Sequence, residues 1–137
     1  MPYHSFETLE VWKRACRLVV SLYSALKDCK DFGLKDQMTR AATSIPSNIA
    51  EGYERGSDKD FVRFLRIAQG SSAELRTQIY IAQKIGVIDM ETMKTLAEET
   101  RGISAMLQAL AKSRQNTVKE QPDFQPEQSS ANPIDDK

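Results

Sequence analysis

A chain of 137 residues fits one domain and leaves little room for a multidomain enzyme. Nineteen basic residues balance nineteen acidic ones and 40% of the chain is hydrophobic, which predicts a soluble domain with no strong global field toward nucleic acid. Two cysteines, Cys16 and Cys29, exclude a disulfide framework, and a single histidine, His4, excludes His-based metal clusters and Ser-His-Asp or Cys-His catalysis. No apolar run approaches the roughly 20 residues of a membrane span, and no basic-then-apolar segment opens the chain. The expected location is cytoplasmic.

Taken in chain order, the pattern is helical. Leu9, Trp12, Cys16, Val19, Tyr23 and Leu26 recur in steps of three and four and predict a first helix ending near Cys29–Gly33. Leu34, Met38, Ala42, Ile45 and Ile49 predict a second helix towards Gly52, kinked at Pro46 because the periodicity continues across it. Residues 52–56 read as a loop, with Ser57 and Asp60 as an N-cap pair. Phe61, Leu65, Ala68, Ser72, Leu75, Ile79 and Ala82 mark a third helix. A turn at Gly86-Val87-Ile88-Asp89 then leads to a fourth, with Met93, Leu96, Thr100, Ile103, Leu107 and Leu110 in register. No stretch alternates as a strand does. Four long helices with short connections predict an all-α, antiparallel up-down four-helix bundle over residues 1–115.

Residues 116–137 differ. They carry two basic residues (Lys119, Lys137) against five acidic ones (Glu120, Asp123, Glu127, Asp135, Asp136), a balance of −3, which leaves 17 basic against 14 acidic and +3 for the bundle. With Pro122, Pro126 and Pro133 and few apolar side chains, this stretch is expected to be a disordered acidic tail; the alternative is that Phe124 or Ile134 docks on the body.

The third helix is apolar on more than one face. Ile67, Ser71, Glu74, Gln78, Ile81 and Ile85 fall on a second line about 100° around its axis, and Gly70-Ser71-Ser72-Ala73 has little bulk. That line reads either as a self-association surface or as a wide core-facing arc. On the second helix Gln37, Ser44, Asn48, Glu51 and Arg55 form a polar line that predicts a structural hydrogen-bond network, with a Glu51–Arg55 pair and Glu74 available opposite. Nothing pairs a nucleophile with a base, and glycine patterns for phosphate or dinucleotide binding are missing, so no enzyme activity, cofactor or metal is expected. Lys13, Arg14 and Arg17 on the first helix, Arg40 on the second, and Arg63 and Arg66 on the third are candidate phosphate contacts.

Three blocks carry a family resemblance. They are Phe6-x-x-Leu9-x-Val11-Trp12-x-x-Ala15; Gly33-Leu34-x-x-Gln37-x-x-Arg40-Ala41-Ala42-x-Ser44-Ile45-Pro46-Ser47-Asn48-Ile49-Ala50-Glu51-Gly52-x-x-Arg55; and Phe64-Leu65-x-Ile67-Ala68-x-Gly70-Ser71-x-x-Glu74-Leu75. Together they resemble the bacterial four-helix-bundle proteins encoded in 23S rRNA intervening sequences, relatives of the accessory variability determinant of diversity-generating retroelements. The resemblance implies a homopentamer that binds RNA or DNA, with a reverse transcriptase as a partner in the retroelement case. On this basis Ile67, Gly70, Ser71, Glu74, Gln78, Ile81 and Ile85 are the expected oligomer interface. The alternative is a protein–protein scaffold without nucleic-acid binding.

Overall fold

The computed structural model describes residues 5–119. A one-turn 3-10 helix over Phe6–Thr8 leads into α1 (Glu10–Ala25), α2 (Phe32–Glu54), α3 (Asp58–Lys84) and α4 (Met90–Lys119), with no strand among the described residues. Each of the long helices after α1 begins on a side chain that satisfies a free backbone N–H. Asp31 accepts from the Leu34 amide at 3.1 Å, Ser57 from the Asp60 amide at 3.1 Å and Asp89 from the Thr92 amide at 2.7 Å. Gly56 and Gly86 turn the chain after α2 and α3 with φ of 88° and 84°, a region that L side chains adopt at a cost.

Short connections make neighbours antiparallel. The helices form a square in which α1 lies beside α2 and α4, α3 lies beside α2 and α4, and the backbones of the diagonal pairs stay apart. Ser44 facing Ser71 and Gly52 facing Phe64 set the α2–α3 register. Ser72 facing Ser104 and Asp58 facing Arg114 set that of α3 and α4.

The expected stripes of α2 and α3 are the core. Met38, Ala42, Ile45 and Ile49 are sealed from solvent, as are Leu65, Ala68, Leu75, Ile79 and Ala82. On α4, Leu96, Thr100, Ile103 and Leu107 are buried while Met93 and Leu110 pack at its margin. In α1 the stripe is rotated: Val11, Ala15, Leu18 and Leu22 are buried, joined by the expected Leu26 just past its end, whereas Trp12 and Val19 flank the core and Tyr23 is exposed. Ala15 at the centre lets the neighbouring helices come close. Trp12 instead meets Phe6 edge-on, with ring centroids 5.2 Å apart.

Two boundaries also move. Residues 52–54 are helical rather than loop, because Gly52 is buried under α3: a Cβ there would lie 2.5 Å from Cβ of Phe64. Pro46 stands inside an unbroken α2, where its ring is buried and its missing N–H removes a single helical hydrogen bond. At the other end α4 continues through Lys119, four residues beyond the expected bundle limit. The acidic tail expected for 116–137 otherwise lies outside the described residues.

Candidate functional site

The α2–α3 seam brings polar groups inward and leaves apolar ones outside. Ser44 and Ser71 share a hydrogen bond at 2.8 Å, and Asn48 donates to both the Ser44 hydroxyl and its carbonyl at 2.8 Å. Glu51 and Arg55 pair at 3.0 Å one turn on. The anticipated polar line thus holds two separate bonded groups, Ser44 with Asn48 and Ser71, and Glu51 with Arg55. Gln37, however, is exposed and stands apart from both, and the register places Glu74 near the level of Ala41, nearly three turns from Glu51, so it does not join the Glu51–Arg55 pair.

Beside this seam Ile67, Ile81 and Ile85 stand 43%, 46% and 56% exposed. Of the line predicted on α3, the structure places these three, Gly70 and Glu74 at the surface, Ser71 in the seam, and Gln78 in the interior. Gln78 keeps an unusual feature: its Oε1 is buried and accepts no hydrogen bond. Gly70 faces open space, so a neighbouring helix would meet no side chain there. The apolar surface continues to the end of the bundle where Phe32, at the start of α2, and Met90, at the start of α4, are exposed close to the end of α3.

The cations divide differently from the sequence pattern. Arg14 lies in the α1–α4 seam, where its Nε donates to Glu99 at 2.7 Å and its Nη1 reaches the Met106 sulfur at 3.4 Å. The hydrogen bond to Glu99 raises the guanidinium's already high pKa, with burial opposing it. Arg66, a candidate phosphate contact from the sequence, turns into the α3–α4 seam and donates to Gln69, Gln108 and Gln115 at 2.7, 2.6 and 3.1 Å. Arg17, Arg40 and Arg63 are exposed with carboxylates nearby (Glu10 at 3.7 Å, Asp36 at 2.9 Å, Asp60 at 3.8 Å), and Lys13 is exposed. Since α1 and α3 are diagonal, one protomer does not gather the six into one patch.

A cluster that periodicity alone missed surrounds the α2–α3 turn. The guanidiniums of Arg55 and Arg63 lie 5.0 and 4.7 Å from the Phe64 ring centre, and Arg114 lies 5.2 Å from that of Phe61. Tyr53 meets Phe61 edge-on at 5.6 Å, and Arg114 also binds Asp58 at 2.9 Å beside an open cleft lined by Tyr53, Ser57 and Phe61. The signal was an alternation of arginine and aromatic residues around Gly56. It becomes a cluster only when α4 brings Arg114 to the same end.

No group of three or more His, Cys, Asp or Glu among the described residues is arranged to hold a metal ion. Cys16 is half-buried, and desolvation pushes its thiol pKa up against the pull of Arg17. No described helix is long and apolar enough to cross a membrane.

The model of a protein family described as 23S rRNA-intervening sequence protein matches residues 7–109. Among solved structures, the chain is similar to a protein of unknown function from the S23 ribosomal protein family of Bacteroides thetaiotaomicron. The two are 24% identical, the match covers 74% of this chain and 98% of that one, and the TM-score is 0.70. Among curated proteins none matches.

Proposed function

Because the chain belongs to the 23S rRNA-intervening sequence protein family, we propose that it acts in the cytoplasm as a non-enzymatic homo-oligomer, most simply a pentamer, whose copies together bind nucleic acid. The observation that carries this reading is the row of exposed isoleucines, Ile67, Ile81 and Ile85, beside an interior Gln78 oxygen that lacks a donor. A second copy laid along α3 would remove that apolar surface from water, at roughly 25 cal/mol per Å² buried. Contact with Gln78 Oε1 would need a donor to enter the seam with it.

Nucleic-acid contact is supported by Lys13, Arg17, Arg40 and Arg63, whose cations face solvent, and by the Arg55–Phe64–Arg63 cluster. The buried Phe64 ring holds the Arg55 and Arg63 guanidiniums in place, and those planes suit phosphates and the faces of unstacked bases. Arg14 and Arg66 serve here by fixing seams rather than by reaching phosphates. Each protomer offers small, separate patches, so affinity depends on repeating them around an assembly.

Light scattering on the native particle tests the first half: a mass near five times the 15.5 kDa protomer is expected, falling for Ile81→Glu with helicity retained. A stable single-copy species in the unaltered protein at micromolar concentration overturns it. Titration of structured RNA and duplex DNA across a salt series tests the second half. Binding should be strongest at about 50 mM salt and weaken steeply above it. An oligomer that binds neither at 50 mM would be a protein–protein scaffold instead.

A further inference from the structure

Between the start of α1 and the last third of α4 runs an apolar groove of about 450 Å³, floored by Val11 and walled by Leu9, Met106, Ala109 and Leu110. α4 carries the chain past this groove in one direction, and its last described residue, Lys119, stands nine residues beyond Leu110. At about 1.5 Å per residue that is roughly 13 Å along the axis. Phe124 follows Lys119 by five residues, a reach of up to about 17 Å when extended. Pro122 lies between them and opposes continuation of the helix.

We propose that the segment after α4 doubles back along the α1–α4 seam, with Phe124 seated in this groove and Glu127 meeting Lys13 and Arg17. The charge fits the path. Residues 120–137 carry five acidic groups against one basic, and three extended residues from Phe124 to Glu127 span about 10 Å. That equals roughly the seven helical residues from Glu10, at the rim of the groove, to Arg17. Arg17 is held only at 3.7 Å by Glu10, so a second carboxylate can share it. Phe124 and Ile134 are the only large apolar side chains of residues 120–137, and a single phenylalanine needs no more than a preformed slot. Its seat places a carboxylate on two of the cations available to phosphates, and the docking is independent of whether nucleic acid is the partner.

The test is methyl-resolved NMR of the full chain, reading Leu9, Val11, Met106 and Leu110 in the wild type, Phe124→Ala and Phe124→Leu. Phe124→Ala should shift at least three of these four methyl-bearing residues while leaving Ile45 and Ile79 unchanged, and Phe124→Leu should restore most of the wild-type positions. Contacts between the Phe124 ring and the Met106 methyl should appear in uniformly labelled protein. Unmoved groove methyls on Phe124→Ala overturn the proposal. So does a contact seen only between differently labelled copies, which would make a second chain the occupant, or one from residues 1–4 in place of Phe124.

Discussion

Two glycines show how differently the two sides of the bundle are closed. Gly52, on α2, lies against α3, and Gly102, on α4, lies against α1. At Gly52 the atoms that crowd the missing Cβ are Cβ and Cγ of Phe64, fixed to the backbone of α3 and unable to yield. At Gly102 they belong to the guanidinium of Arg14, the far end of a long and flexible side chain. The α2–α3 side is therefore closed by shape and the α1–α4 side by a charge that can be displaced. A seam of the first kind holds a rigid outer surface, as an interface between copies requires. A seam of the second kind can admit another segment beside it.

The largest expected effect separates these cases. Gly52→Leu should destabilise the fold by about 3 kcal/mol in urea unfolding, since overpacking a rigid contact forces backbone movement. The loss should be the same at low and high salt. Gly102→Ala should leave stability within about 1 kcal/mol of the wild type, because the helix-propensity gain of alanine offsets a partly exposed Arg14–Glu99 pair. What changes there is the salt response: the stability lost by the wild type as salt rises should be smaller in the variant, where Arg14 is pushed away from Glu99. Equal losses at the two glycines would erase the distinction.

Much of this architecture was legible because α2 and α4 each have one apolar stripe that satisfies the 3.6 period, the core stripe of α3 stands out within its wider apolar arc, and Ser57 announces the start of α3. α1 was misread by one position for a physical reason. Its apolar residues cover a wide arc, so two stripes fit the period, and the bulk of Trp12 and Tyr23 points to the wrong one. The fold instead centres α1 on Ala15, where small size permits close packing. Local pairs were equally readable, as Glu51 with Arg55 shows. The Arg14–Glu99 bond joins residues 85 apart, and the turn of Arg66 towards α4 depends on Gln108 and Gln115. No spacing along one helix encodes either contact. Gly52 illustrates the same limit from the other side: its role as a turn was inferred from residue type, whereas a ring on the next helix decides it.

The smallest effect probes charge where α4 begins, on the side closed by adjustable contacts. Asp89 is exposed, and its hydrogen bonds from the Thr92 side chain and amide lower its pKa below the ordinary 3.8. A carboxyl whose folded pKa is depressed binds its proton more readily in the unfolded chain. Its contribution is therefore complete above the unfolded value and disappears as pH falls through the folded one. Asp89→Asn keeps the capping oxygen and removes the charge that favours a helix N-terminus. The variant should melt slightly below the wild type at pH 7, and the gap should close as the pH is taken below about 3.8. A gap that persists or widens in acid would place the value of Asp89 in its geometry alone, and would leave the Arg14–Glu99 pair as the charge on which this side of the bundle depends.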